Sequence, residues 1–267
     1  YAKTHSERFC VLLQGDNRKQ RGKSLIIMKI IFTEDYDELS EKAFEIMKDV
    51  VKINPYAVLG LATGTTPLGV YKRLIADHLK NGTSYKHIRA VNLDEYKGLS
   101  AIHPQSYAYF MRKNLFENID IDLDNTYIEN GTAEDESAEC KRYDKLLKLL
   151  PRDLQLLGLG ENGHIAFNEP NAPFDSTTHI VNLTESTIKA NSRFFNDISD
   201  VPKQAFTMGM KSIMQAKKIL ILASGEIKAK AVYKTVKGEV NVNCPASILQ
   251  KHPDCTLVVD KSAGKLL

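Results

Sequence analysis

Short apolar runs alternate with amphipathic segments along this chain, from Met28 nearly to its end. The run 28–33 predicts a buried strand, and the segment 36–52 places apolar residues at helical spacing. Further strands are predicted over 56–62, 88–93, 154–160, 179–183, 218–224 and 256–260, and further helices over 67–80, 104–116, 136–149, 185–196 and 226–237. Wholly apolar strands with helices between them are typical of a parallel sheet covered on both faces. The pattern predicts one three-layer α/β/α fold with a mostly parallel, Rossmann-like sheet.

The first 27 residues do not follow this pattern. They are polar and basic with one short apolar patch, and they lack the apolar core and cleavage site of a signal peptide. We interpret Met28 as the native start and residues 1–27 as an N-terminal extension that need not be native. Residues 28–267 are then expected to form a single domain.

Composition excludes some classes of protein but does not indicate a function. The chain has 267 residues, 43% of them hydrophobic and 26% charged, which is ordinary for a globular protein. A net charge of +3, with Lys and Arg dispersed, does not indicate a nucleic-acid partner. No apolar run has the length of a membrane span, and the four cysteines show no CxxC spacing. We therefore expect a cytoplasmic protein with reduced thiols and neither a membrane nor a nucleic acid as partner.

The predicted strand 56–62 is followed by Thr63, Gly64, Thr65, Thr66 and Pro67. Glycine permits a tight turn, and amides at a helix start together with three hydroxyls could hold a phosphate. Thr66 is the expected helix cap, with Pro67 in the first turn. The pattern of a nucleotide triphosphate loop is missing. An ordinary capped turn explains the same residues, so both interpretations stay open at this point.

Two carboxylates, Asp94 and Glu95, come directly after the predicted strand 88–93. Neighbouring side chains of an extended segment point to opposite sides, so at most one of the two should face the turn after 56–62. A partly desolvated carboxylate at the end of a strand can serve as a general base. The alternative is an acid that only orders a loop or caps a helix.

The segment 158–170 carries a glycine-rich loop with a histidine after the predicted strand 154–160. Its glycines allow close approach of a ligand, and His164 has Asn162 and Glu169 near it in sequence to orient it. A histidine with a carboxylate partner is a common proton-transfer pair. One histidine and one glutamate are a poor ligand set for a metal, so none is expected. A purely structural histidine remains the alternative.

Two cations have unusual positions. Arg193 lies between an amide and two phenylalanines in a predicted helix, and Lys228 lies in the first turn of the helix predicted over 226–237. A lysine at the positive end of a helix dipole is easier to understand if an anion binds nearby. Each could equally be a surface charge.

Taken together, these stretches resemble the glucosamine-6-phosphate deaminase (glucosamine-6-phosphate isomerase) family. The resemblance extends from about Met28 to Asp260 in consistent order, through LGLATGTTPLGVY, NLDEYKGL, HPQSY, GLGENGHIAFNEP, ANSRFF and PASILQKHP. It implies a hydrolase acting on a carbon–nitrogen bond, which converts glucosamine 6-phosphate and water to fructose 6-phosphate and ammonia without a metal or an organic cofactor.

The resemblance also implies roles for particular residues. Asp94 would move the proton between C1 and C2, and His164 would assist ring opening with support from Glu169 and Asn162. The phosphate would be held by Thr63, Gly64, Thr65, Thr66, Arg193 and Lys228. Some members have an acid where this chain has Asn162, so we expect that amide to orient His164 without stabilising its charged form.

Other features bear on regulation and on competing functions. In the hexameric, allosterically activated branch, basic residues follow the NEP motif, whereas the segment 171–181 offers only His179. We therefore expect no allosteric activation, and a monomer or a simple homo-oligomer. The competing enzyme is a 6-phosphogluconolactonase-like hydrolase, which has less use for a base at Asp94. A sugar-phosphate-sensing domain of a transcription regulator would need a DNA-binding segment, for which residues 1–27 are too short.

Overall fold

The computed structural model describes residues 9–10, 28–192, 195, 197 and 200–267. Its main sheet contains β1 (Phe9–Cys10), β2 (Lys29–Thr33), β3 (Val58–Leu61), β4 (Arg89–Asn92), β6 (Thr126–Tyr127), β7 (Leu154–Gly158), β10 (Ile219–Ala223) and β11 (Cys255–Asp260). A smaller sheet contains β5 (Asp94–Tyr96), β8 (His179–Asn182) and β9 (Gln204–Thr207). The α-helices are α1 (Tyr36–Ile53), α2 (Leu68–Asn81), α3 (Tyr107–Asn114), α4 (Glu136–Leu149), α5 (Glu185–Ser192), α6 (Met210–Ile213) and α7 (Ala229–Lys237). Short 3₁₀ helices lie at Phe116–Asn118, Leu123–Asn125, Glu226–Lys228 and Pro245–Lys251.

The main sheet has the strand order β1-β2-β11-β10-β7-β3-β4-β6. In this spatial order, every pair of neighbours between β2 and β6 runs parallel. At the edge, β1 pairs antiparallel with β2. Both faces of this sheet are covered. In β10, Ile221 belongs to the same buried cluster as Leu147 of α4 and Val232 of α7, whereas Leu222 belongs to the cluster of Met47 of α1. Alternate side chains of the strand therefore pack against two helical layers, one on each face of the sheet. This confirms the three-layer fold with a mostly parallel sheet.

The strand order has a switch point between the adjacent strands β3 and β7. After β3 the chain continues to β4 and β6 on one side, and after β7 it continues to β10 and β11 on the other. Connections that leave two neighbouring strands in opposite directions open a crevice at the carboxyl ends of those strands. The fold thus places the loops after β3 and β7 beside a ready-made cleft.

The structure bears out some local predictions and contradicts others. The predicted strand 179–183 does form as β8, but in the smaller antiparallel sheet with β9, which in turn pairs with β5. Thr66 does not cap α2, because the cap position is Pro67, which has no side-chain group to accept from a helix amide. The helix predicted from 104 begins at Tyr107, since the Ser106 side chain accepts a hydrogen bond from the amide of Tyr109 and caps it.

In the described residues, no helix is both long enough and apolar enough to cross a bilayer.

Candidate active site

A cleft of about 510 Å³ opens at the carboxyl ends of β3, β4, β7 and β10. Its walls come from the loops that follow these strands, as expected at a switch point. The sequence-predicted site residues that line it are Thr63, Gly64, Asp94, Asn162, His164, Glu169 and Lys228. Arg193, the remaining predicted cation, lies outside the described residues.

The turn after β3 is held by a tyrosine from α1. The Tyr36 hydroxyl lies 3.0 Å from the carbonyl oxygens of both Thr65 and Thr66, and it accepts a hydrogen bond of 2.9 Å from the amide of Gly69. Gly64 has a φ of +91°, a conformation that glycine adopts without strain. Thr63 and Gly64 line the cleft, whereas Thr65 and Thr66 belong to the turn but not to the lining. Since the Gly69 amide is already engaged, an anion here would meet the amides of the turn itself.

Asp94 opens β5, immediately beyond β4, and only 6% of its surface is exposed. Its carboxyl group lines the cleft, while Glu95 turns away toward α3. Burial, and then the negative charge of Glu95, raises the pKa of Asp94 to about 8. A carboxyl group with a pKa near neutral pH can both take and return a proton, which suits a general base.

The loop after β7 joins three polar side chains in a chain of hydrogen bonds. Asn162 donates through Nδ2 to Oε2 of Glu169 at 2.6 Å, and its Oδ1 lies 2.7 Å from Nδ1 of His164. The same Oδ1 accepts from the backbone amide of His164 at 3.1 Å. Because Nδ2 faces a carboxylate, Oδ1 must be the atom that faces the imidazole, so the network assigns the imidazole proton to Nδ1. Nε2 is then the proton acceptor of His164.

A glycine and a buried asparagine fix the conformation of this loop. A side chain at Gly160 would collide with the imidazole of His164, so only glycine lets the ring lie over the loop. Asn168 is fully buried and donates through Nδ2 to the carbonyls of Ile165 and Met208. Through Met208, which follows β9, the smaller sheet fixes the turn that carries Glu169 back toward Asn162.

Lys228 reaches the cleft from the segment after β10, at the start of α7. Burial lowers the pKa of its ammonium group, and the nearby charge of Glu161 partly offsets this. The preceding loop is fixed because Ser224 and the amide of Gly225 both donate to Oδ2 of Asp260, at the end of β11. A cation that is partly desolvated at the positive end of a helix is well placed to meet an anionic ligand.

Sequence reasoning missed Tyr107, which lines the cleft from the first position of α3. Its hydroxyl lies 3.3 Å from that of Tyr96, and its ring stacks on Phe167 with a centroid distance of 6.0 Å. Burial raises the pKa of Tyr107 well above its ordinary value, so the phenol is neutral. Ser106 was the available signal, because a capping residue there places Tyr107 at the helix start.

Among the described residues, no group of three or more His, Cys, Asp or Glu side chains is arranged to hold a metal ion. The polar groups of the cleft are three acids, an imidazole, an amide, a lysine and two hydroxyls, from Asp94, Glu161, Glu169, His164, Asn162, Lys228, Thr63 and Tyr107. Such a set can move protons and bind an anion.

Fold and cleft together define an α/β protein with an acid–base site at the carboxyl edge of a parallel sheet. The family model for glucosamine-6-phosphate isomerases/6-phosphogluconolactonase matches residues 33–258. The chain belongs to this family.

Individual relatives agree with the family match. A glucosamine-6-phosphate deaminase of Geobacillus sp. (strain WCH70) is 52% identical over 241 residues, which cover 90% of this chain and 96% of the relative. A solved structure of a monomeric glucosamine-6-phosphate deaminase has a TM-score of 0.88 at 47% identity and covers 90% of this chain and 100% of its own. The 6-phosphogluconolactonase from Trypanosoma brucei has a TM-score of 0.72 at 22% identity, covers 89% of this chain and 98% of its own, and shows only that the fold is shared.

Proposed function

We propose that this chain converts glucosamine 6-phosphate and water to fructose 6-phosphate and ammonia by acid–base catalysis. Relatives that carry the name glucosamine-6-phosphate deaminase share about half of its residues over nearly their whole length, for example 52% over 96% of the Geobacillus protein. The observation that carries the proposal is the convergence of Asp94 and the His164–Asn162–Glu169 array on one cleft. The chemistry needs a proton acceptor for each of two stages, and this cleft supplies both.

The first stage is ring opening, which we assign to His164. A closed pyranose must lose the proton of its C1 hydroxyl while its ring oxygen gains one. With its proton on Nδ1 and bound to Asn162, the imidazole can take the C1 hydroxyl proton at Nε2 and return it to the ring oxygen as the C1–O5 bond breaks. Glu169, held by Asn162, supports the orientation of this array.

The second stage moves a proton from C2 to C1, which we assign to Asp94. In the open chain, C2 lies next to the C1 carbonyl and becomes acidic. Asp94 takes the C2 proton while the substrate's amino group, which is protonated at neutral pH, gives a proton to the C1 oxygen, so that an enolamine forms. Asp94 then returns its proton to C1, which leaves a protonated imine at C2. Water then adds to the imine and ammonia leaves, so that fructose 6-phosphate is formed. General acid–base help of this kind contributes about 10²–10⁴-fold in rate.

The phosphate is assigned to the turn after β3 and to Lys228. Thr63 to Thr66 offer a turn with hydroxyls and amides, and Lys228 offers a positive charge. Arg193 joins this set on the strength of the sequence motif alone. Anchoring the substrate by its phosphate would hold C1 and C2 against the two proton acceptors, which is a large source of rate enhancement.

We further propose that the protein acts as a monomer in the cytoplasm. The related structure with a TM-score of 0.88 is that of a monomeric glucosamine-6-phosphate deaminase, which supports this assembly state. Sedimentation velocity of the purified chain across a range of concentrations tests it, since a dimer or hexamer would sediment faster. The absence of activation by N-acetylglucosamine 6-phosphate also remains a prediction.

The deciding experiment measures ammonia and fructose 6-phosphate released from glucosamine 6-phosphate, with a metal chelator present throughout. We expect both products in equal amounts. The same preparation is assayed in parallel for hydrolysis of 6-phosphogluconolactone. Rapid lactone hydrolysis without ammonia release would replace the proposed function with the lactonase activity, and tight sugar-phosphate binding without either reaction would leave only a binding protein.

A further inference from the structure

Glu95 is a buried carboxylate beside the cleft for which the proposed reaction has no use. Only 1% of its surface is exposed, and it follows Asp94 directly in β5. Because side chains alternate along a strand, Asp94 faces the cleft and Glu95 faces the opposite way. A buried acid needs partners that stabilise it, so its contacts indicate what it does.

Those contacts are three backbone amides, two of them at the start of α3. Oε1 of Glu95 accepts from the amide of Tyr107 at 2.9 Å and from that of Tyr96 at 2.7 Å, and Oε2 accepts from the amide of Ala108 at 2.8 Å. The first amides of a helix have no partner within the helix, and its N-terminus is the positive end of the dipole. Glu95 therefore supplies what the start of α3 lacks and links that helix to β5.

Both ends of this link carry a residue of the cleft. Asp94 is joined to Glu95 by one peptide bond, and Tyr107 is the residue whose amide Glu95 binds. Asp94 and Tyr107 both line the cleft, whereas Glu95 does not. A displacement of the Glu95 carboxylate would thus move the proposed base, the tyrosine or both.

The groups around Glu95 are acidic or neutral. Asp94 precedes it, Tyr96 and Tyr107 pack near it, and Glu129 approaches from the segment after β6, where Gly131 lies against the Glu95 stem. Neither carboxyl oxygen of Glu129 has a hydrogen bond to another residue in the described part of the chain, and burial raises its pKa well above the ordinary value. Glu129 is therefore neutral. Burial also raises the pKa of Glu95, to about 7, but its three amide donors oppose this shift, so Glu95 is the acid that carries charge in the pH range where Asp94 titrates.

We propose that Glu95 is a positioning residue for the proposed deamination: its carboxylate fixes β5 to the start of α3 and thereby sets the places of Asp94 and Tyr107 in the cleft. The inference rests on the proposed function, and it adds a residue that touches neither the substrate nor the reacting atoms. In addition, the negative charge of Glu95 makes it harder for Asp94 to give up its proton.

The test compares Glu95→Gln, Glu95→Asp and Glu129→Gln with the wild-type chain. Glutamine removes the charge and turns an NH₂ group toward an amide donor, whereas aspartate keeps the charge but falls one methylene short of α3. Glu129→Gln is the matched control, because it alters a neighbouring buried acid that neither is charged nor binds α3. The readouts are kcat, KM, the pH profile of kcat, and hydrogen–deuterium exchange over residues 104–111.

We expect a fall of about 100-fold in kcat for both Glu95 variants, the size of effect that a misplaced catalytic group produces. KM should change by less than about threefold, since Glu95 itself does not line the cleft. The acidic limb of the profile should move to lower pH in Glu95→Gln but not in Glu95→Asp, because only the former removes the charge beside Asp94. Exchange over 104–111 should speed up in both, and Glu129→Gln should resemble the wild type in all four readouts.

Two results would overturn the positioning role while leaving the proposed function intact: wild-type kcat in both Glu95 variants, or an equal loss of kcat in Glu129→Gln. A wild-type chain without deaminase activity would overturn the proposed function and this role with it. The exchange measurement does not depend on activity, so unchanged protection over 104–111 in both Glu95 variants would disprove the link to α3 in any case.

Discussion

Oδ1 of Asn162 lies 2.7 Å from Nδ1 of His164, and this contact fixes which nitrogen of the imidazole carries the proton. The amide cannot turn over without cost, because its Nδ2 donates to Glu169 at 2.6 Å. An aspartate at this position would accept the same hydrogen bond and would also stabilise a charged imidazole. Asn162 does only the first, and the carboxylate beside this nitrogen is that of Glu169, whose Oε2 lies 3.5 Å from Nδ1 of His164.

The first prediction concerns this amide. Asn162→Ala should lower kcat about 10- to 100-fold, because His164 loses the group that orients it, while KM changes little. Asn162→Asp keeps an acceptor for Nδ1 and should retain more activity than the alanine variant. Steady-state kinetics on the three proteins decide the matter, and an alanine variant with wild-type kcat would show that His164 needs no help from residue 162.

Much of this fold could be predicted from periodicity, and the exceptions have physical causes. Long apolar strands such as β7 and β10 carry a strong signal because both of their faces are buried. In contrast, β5 has three residues, two of them acidic, and β9 has four, so neither shows a recognisable period. These two strands place Asp94 in a second sheet, an arrangement that depends on contacts between residues more than 100 positions apart.

The candidate site was predictable where a residue follows a strong strand. Asp94, His164 and Lys228 were identified because they come soon after apolar runs, and the ends of parallel strands meet at one edge. Tyr107 was missed because its place depends on where α3 begins, and that is decided by Ser106 and Glu95. The roles of Thr65 and Thr66 could not be separated from that of Thr63, since only the folded turn shows which of them reach the cleft.

The second prediction is a pH dependence set by Asp94. Its pKa is raised to about 8, and the base must be deprotonated, so kcat/KM should fall as the pH drops through this region. Below it the slope should approach tenfold per pH unit if one group controls the rate. Asp94→Asn should lose at least about 100-fold in kcat at every pH, while fructose 6-phosphate still binds.

The pH profile and the Asp94→Asn variant are two independent tests of the assignment of Asp94 as the base. A wild-type profile that stays flat from pH 6 to 9 would show that Asp94 does not titrate during turnover. An Asp94→Asn variant that keeps wild-type kcat would exclude Asp94 as the base altogether.

A third prediction follows from the same burial but concerns stability. The folded state keeps the Asp94 proton up to about pH 8, whereas the unfolded state releases it near the ordinary value of 3.8. The stability that the neutral carboxyl group contributes is fully present below the lower value and is lost as the pH rises through the higher one. Asparagine does not titrate, so Asp94→Asn should be more stable than the wild type by a margin that grows by up to about 1.4 kcal/mol per pH unit between them.

Urea unfolding at pH 5, 6.5 and 8 measures this margin. Asp175→Asn is the control, because Asp175 is exposed and its substitution should give no such trend. A margin for Asp94→Asn that is the same at all three pH values would mean that the carboxyl group is ionised in the folded state throughout.

The last prediction separates binding from chemistry at Lys228. If its ammonium group holds the substrate phosphate, it does so equally in the bound substrate and in the transition state, because the phosphate does not react. Lys228→Ala should therefore raise KM about 10- to 100-fold, the range expected for a charge-assisted hydrogen bond, and leave kcat within a few fold. Lys230→Ala is the matched control, since Lys230 lies two residues further along in α7 and is exposed. Both variants are compared by steady-state kinetics and by calorimetric titration with fructose 6-phosphate. An unchanged KM in Lys228→Ala would move the phosphate away from α7, and a large fall in kcat instead would place Lys228 beside the reacting carbons.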